Sequence, residues 1–174
     1  METDRQVTTG GVVSRSFLDR MKGAAMLNVD TYEDVEADTT ATGEAAGVVA
    51  LVAVATAIGA SGAGMYAVVG GVASAFVGWL LWAGITYIIG DKLLGGTATW
   101  GELLRTLGFA QAPGLLLVFG VIPGVRVIVA LLVGVWTLIA GLIAIRQALD
   151  FGNGKALLTA FLGVVCLTVL RLIF

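Results

Sequence analysis

From Gly108 to Val125 the chain reads GFAQAPGLLLVFGVIPGV. Both prolines of the sequence, Pro113 and Pro123, and a glutamine, Gln111, interrupt a run otherwise suited to lipid. A proline inside a helix removes one backbone donor and clashes with the carbonyl four residues earlier, which costs about 3 kcal/mol. In lipid the carbonyl so freed, that of Phe109, must find its partner within the protein. The spacing therefore predicts a membrane-spanning helix bent at Pro113, with Gln111 turned inward to donate to freed backbone or to a neighbouring helix. Pro123 with Gly124 then ends the span. Gln111 and Pro113 have two readings, a structural kink and a crevice for a ligand or lipid. Transporters do build sites from interrupted helices, usually twice and with ionisable residues nearby. Here Pro113 has no counterpart, and no Asp, Glu, Lys or Arg falls mid-span.

Upstream lies GGTATWGELLRTLGFAQAP, where Thr99 followed three residues later by Glu102 makes a capping box and starts a helix at Trp100. From Trp100 to Ile122 is 23 residues, about 34 Å of helix. Trp100 is expected at headgroup depth, with Arg105 snorkelling toward the same interface.

The rest of the chain agrees with a lipid environment. Of 174 residues 58% are hydrophobic, mean hydropathy is +0.98, and nine of the twelve acids fall in the first 44 positions. Five segments approach the roughly 20 apolar residues that a span needs. They are 45–63, 67–90, 104–122, 127–149 and 156–174. The expected fold is an all-α integral membrane protein, a five-helix bundle with a Pro-kinked third span, organised as a tail (1–44) and a membrane domain (45–174). The connections SGAGMY (61–66), 124–126 and 150–155 are tight, so neighbouring helices run antiparallel. With the N-terminus inside, eight Lys and Arg fall on the cytoplasmic side and only Arg126 and Arg171 outside. That bias predicts a multi-pass protein of the cell membrane with N-terminus cytoplasmic and C-terminus outside. The first 40 residues show no apolar core with a small-residue cleavage site.

In the tail, VSRSFLDRMKGAA (13–25) sets Val13, Phe17, Met21 and Ala24 at helical spacing with Arg15, Asp19, Arg20 and Lys22 elsewhere on the wheel. It reads either as an interfacial helix drawn to anionic lipid or as a helix held under the bundle by hydrophobicity. Thr31 is expected to cap a short acidic helix through Asp34, leaving a solvated acidic face. Arg20, Glu33, Asp34, Glu36 and, across the 91–102 loop, Glu102 form the candidate cytoplasmic partner surface. Within the second span Gly70, Ser74 and Gly78 recur every fourth residue, a candidate helix-packing face used either inside the chain or in an oligomer.

Several chemistries find no residues. Histidine is absent, so Ser61 and Ser74 have no histidine base and metals lose their commonest ligand. The acids lack the alternate spacing and central glycine of a calcium loop. Cys166 is the one cysteine and reads as a small hydrophobe. No glycine loop cradles phosphate, no basic cluster suits nucleic acid, and no cofactor is implied.

The runs GTATWGELLRTLGFAQAPGLL and WTLIAGLIAIRQAL, a last span running almost to the end, and FLDRMKGAAMLNVDTYEDVEAD upstream together resemble the Yip domain family. These are the Ypt/Rab-interacting membrane proteins, and the likeness is to their microbial branch, over roughly residues 17 to 170. The resemblance implies five spans, a cytoplasmic N-terminus and a non-enzymatic role. Eukaryotic members resemble adaptors that associate with prenylated small GTPases and with one another. Their acidic, proline-bearing cytoplasmic motif has no match here. The expected function is a non-catalytic membrane protein that organises membrane or binds partners, another membrane protein or a second copy of itself. The alternative is a transporter or scramblase for small solute or lipid, working at the broken third span.

Overall fold

The computed structural model describes residues 15–60 and 65–173. The expectations resting on Arg5, Val13, Ser61, the 61–64 turn, Phe174 and the side chain of Arg171 lie outside the described residues.

Every regular element among the described residues is helical. In the polar N-terminal part, α1 (Phe17–Ala25) is capped by Ser16, whose side chain accepts from the Asp19 N–H. The second helix, α2 (Val29–Ala37), is capped by Asn28, whose side chain accepts from the Thr31 N–H. Thr31 is therefore not the cap: it is buried against Gly23, where a Cβ would collide with its hydroxyl.

The apolar helices follow as α3 (Ala41–Gly59), α4 (Met65–Thr86), α5 (Trp100–Phe109), α6 (Arg126–Ala148) and α7 (Asn153–Ile173). Four stretches are long and apolar enough to cross a membrane: Ala41–Gly59, Val68–Leu93, Trp100–Val121 and Arg126–Ala148. A shorter apolar helix, Asn153–Val169, stands where the fifth span is expected. The first crossing begins at Ala41 rather than at residue 45.

Beyond Thr86, α4 widens into a π-helix over Tyr87–Leu93. This end is shaped by Leu149, which fits where a Cβ at Gly90 or Gly96 would stand. Thr99 and Glu102 form the expected capping box at the start of α5.

The third span is broken more thoroughly than a kink. The α-helix stops at Phe109, and after Gln111 the chain continues through Val121 as a 3-10 helix with Pro113 in its first turn. Its partner explains the stretch. Gly108 abuts Ala45, Gly114 abuts Val52, and Gly59 lies so close to the Leu117 carbonyl that no Cβ fits. The α3 segment from Ala45 to Gly59 rises about 21 Å. The twelve steps from Gly108 to Gly120 would rise only about 18 Å as α-helix throughout, but with the steps beyond Ala112 as 3-10 helix they rise about 22 Å. Drawing the chain out keeps it in contact with α3 along that length.

One end of the bundle is dense and polar at its tip. Leu103, Leu107, Phe109, Ala140, Ala144, Ile145, Val48 and Val49 form its buried layer. Over it lie α1, α2, the 94–99 loop and the 149–152 turn. Thr97 donates to Asp150 at 2.8 Å, Lys155 to the Leu94 carbonyl at 3.1 Å, and Gln147 to Glu33 at 2.9 Å. Toward the far end, Val127, Ile128, Leu131, Leu132 and Val135 of α6 are exposed, as suits a lipid-facing surface.

Candidate functional site

At the α1–α2 end two charge centres stand back to back. The first is Arg20. Its side chain is 5% exposed and donates to Asp34 at 2.9 Å, Asp38 at 2.7 Å and Glu44 at 3.1 Å. One guanidinium thus ties α1 to α2, to the α2–α3 junction and to the first turn of α3. Burial opposes its charge, but hydrogen bonds to Asp38, Glu44 and Asp34 more than compensate and raise its pKa. Asp38 is held down at about 2, first by the Thr40 hydroxyl and then by Arg20.

The wheel sets Arg20 apart from Phe17 and Ala24, but the structure turns it inward with them. Residues 17, 20 and 24 follow the three- and four-residue spacing of one helix face. Phe17 and Ala24 carry Arg20 inward: the Phe17 ring meets Phe109 edge-on with centroids 6.4 Å apart, and Ala24 is fully buried. Trp136 of α6 closes the helix by donating to the Ala25 carbonyl at 2.8 Å. So α1 is packed on the bundle, by ion pairing as well as by hydrophobic contact.

The second centre is Arg105, also 5% exposed. Snorkelling is not what it does. Its guanidinium donates to the carbonyls of Val35, at 2.9 Å, and Glu36, closing the C-terminal end of α2. Beside it opens a cleft of about 310 Å³ whose walls include Glu33 and Glu36 from α2, Glu102 from α5, and Gln147 and Asp150 from the end of α6. Burial, then Glu102, Asp150 and Glu33, push the Glu36 carboxyl up to about 7, with Arg105 opposing. Among the described residues no three of the acids are arranged to hold a metal ion.

The structure therefore divides the expected partner surface. Glu33, Glu36 and Glu102 come together in the cleft, whereas Arg20 and Asp34 belong to the clamp behind it. Sequence reasoning missed Asp38, Glu44, Arg105 and Asp150, which are brought in by tertiary contact from three different stretches. Only the position of Arg20 between Phe17 and Ala24 was a usable signal.

The remaining candidates lie within the bundle. Gly70 and Ser74 are exposed, Gly78 is half-buried, and a Cβ on either glycine would meet nothing within 4 Å. That stripe is not packed against within the described chain. Pro113 is buried, and Gln111 beside it is half-buried with no side-chain hydrogen bond to the described protein. The Gln111 side chain instead borders a cavity of about 700 Å³ between α3, the 3-10 helix, α6 and α7.

A polar cap over long apolar helices, with no nucleophile–base pair at either charge centre, defines a multi-pass helical membrane protein. The family model described as the Yip1 domain matches residues 30–173, and the chain belongs to that family. Its members are non-catalytic, trafficking-related membrane proteins. No curated protein and no solved structure matches the chain. The matched stretch begins after α1, so it contains the three carboxylates of the clamp but not Arg20 itself.

Proposed function

We propose that this chain is a five-span adaptor of the cell membrane, with the α1–α2 cap on the cytoplasmic face and the C-terminus outside. The tail (1–44) and α5's first turns present the acidic cleft to a partner carrying a basic segment. The observation that carries this reading is the convergence of Glu33, Glu36, Glu102 and Asp150 from separate elements on one cleft. Clamping by Arg20 presents those carboxylates preorganised, which reduces the ordering cost of binding. Their like charge raises encounter rates with a cationic surface and opposes acidic partners.

Topology is supported by the excess of Lys and Arg on one side and by the gathering of α1, α2, the 94–99 loop and the 149–152 turn at one end. Single cysteines introduced in a Cys166→Ser background at Thr39 and Ile122 should label from opposite sides, Thr39 from the cytoplasm. Labelling of both from the same side would refute the arrangement. For the adaptor itself, crosslinking in membranes should trap a partner that is released as salt screens the cleft and is lost on Glu33→Lys with Glu36→Gln. Capture unchanged by those substitutions would overturn it.

The cavity beside Gln111 favours a second reading, in which the protein takes up a lipid or small solute. What supports it is a mainly apolar lining with Gln111, Thr137 and Arg126 among its polar groups.

A further inference from the structure

We propose that the cavity beside the 3-10 helix is a binding site for one anionic phospholipid, with one acyl chain inside and the phosphate at Arg126. This site rests on the second reading above, whose ligand it names; it lies at the opposite end of the bundle from the acidic cleft and does not depend on the adaptor reading.

The walls are mainly apolar. Val52, Leu117, Val129, Val133 and Leu138 face the space, with Trp82 near its inner end. A volume of about 700 Å³ falls within the range of ligand pockets, about 300–1,000 Å³, and is lined in the same way, by apolar groups with few polar ones. The polar groups stand at its two ends. Arg126, at the first turn of α6, lies at the mouth beside Gly59 and Gly120. Among the described residues it has no carboxylate partner. Gln111 and Thr137 stand at the inner end.

The length agrees with a lipid. Arg126 and Thr137 are eleven residues apart on α6, about 16 Å of helix. That is close to half of the roughly 30 Å hydrocarbon core, the depth of one leaflet. A lipid whose phosphate meets Arg126 at the membrane surface therefore extends its chain to the level of Gln111. The contacts also explain why the cavity exists. The 3-10 helix lines the space with Gly114, Leu117 and Gly120, and the two glycines bring no side chain into it. Across the space Gly134 leaves further room, since a Cβ there meets nothing within 4 Å. A single exposed arginine and a chain-length slot select an anionic headgroup on a hydrocarbon chain rather than a free anion, which would gain nothing from the apolar walls.

The test uses the full chain, reconstituted in vesicles of phosphatidylcholine with phosphatidylglycerol, extracted in mild detergent and weighed by native mass spectrometry. One retained phosphatidylglycerol per chain is expected, in at least about fivefold preference over phosphatidylcholine. Gly134→Phe fills the slot and should reduce retention at least tenfold. Arg126→Gln should keep a retained lipid but lose the headgroup preference. Ala130→Phe on the same wall repeats the blockade should Gly134→Phe not fold. Retention equal in wild type and in the folded blocking variant would mean boundary lipid only and would overturn the site. Headgroup preference unchanged by Arg126→Gln would overturn the role of that arginine.

Discussion

Replacing Arg20 by methionine keeps most of the side-chain volume and removes the charge that holds Asp34, Asp38 and Glu44 together. Leaving a buried charge without its partner typically costs about 3–5 kcal/mol. Here the arginine is 5% exposed but its partners are 27%, 30% and 33% exposed and regain some hydration, so the lower limit, about 3 kcal/mol, is the better figure. The loss falls on docking of α1 rather than on the apolar bundle, because Arg20 touches only the cap and the first turn of α3. Hydrogen exchange in detergent reads that opening directly. About 3 kcal/mol corresponds to a rise of the order of 100-fold in exchange at the α1 amides, with α6 unchanged. Neutralising the carboxylates in the same chain, with Asp34→Asn, Asp38→Asn and Glu44→Gln, should restore most of the protection, because it removes the unpaired charges as well. A change under about threefold at α1 in Arg20→Met would show that Phe17, Tyr32 and Trp136 hold the helix without the clamp, and the electrostatic reasoning would fail.

Three further outcomes follow from the same geometry. Gly59→Ala places a methyl group against the Leu117 carbonyl and should destabilise by about 1–3 kcal/mol, whereas Gly70→Ala meets open space and should leave the monomer's melting temperature unlowered; a loss at Gly70 equal to that at Gly59 would refute the placement of α4. Glu36 binds its proton more tightly in the docked cap, up to about 7 against an ordinary 4.5, so raising the pH through that window should weaken docking of α2. Asp38 has the opposite sign: its contribution is present above its ordinary 3.8 and is lost as the pH falls through about 2. A Glu36→Gln variant should lose the upper limb and keep the lower one, as followed by exchange at α2 from about pH 2 to pH 8. Thr99→Ala removes the capping box of α5 and should cost about 1 kcal/mol, measured as a lowered melting temperature that Thr99→Ser largely recovers.

Hydropathy and capping carried much of the architecture in the sequence. Apolar run lengths placed the long helices to within a few residues, because the thickness of a bilayer imposes nearly the same requirement on every span. The Thr99–Glu102 box is a local motif, and its geometry needs only neighbouring residues. The pair Gln111 and Pro113 marked where the third span breaks, since a missing backbone donor is a property of the residue itself. What followed the break was not legible. Whether the chain resumed as α-helix or was drawn into a 3-10 helix depended on matching its rise to α3, and only the close approach of Gly59, Gly108 and Gly114 decided that.

Charge partners were decided by the tertiary structure for the same reason. A guanidinium reaches carboxylates 14, 18 and 24 residues away in sequence only after three helices have been arranged around it. Arg105 could not be assigned to the end of α2 while α5 and α2 were separate segments, and its partners there are backbone carbonyls that carry no sequence signature. Solvent class, helix positions and caps follow from interactions within about one turn or from summed apolarity, which a sequence displays directly. The clamp, the acidic cleft and the cavity at Arg126 follow from distances between helices, which exist only once the chain has folded.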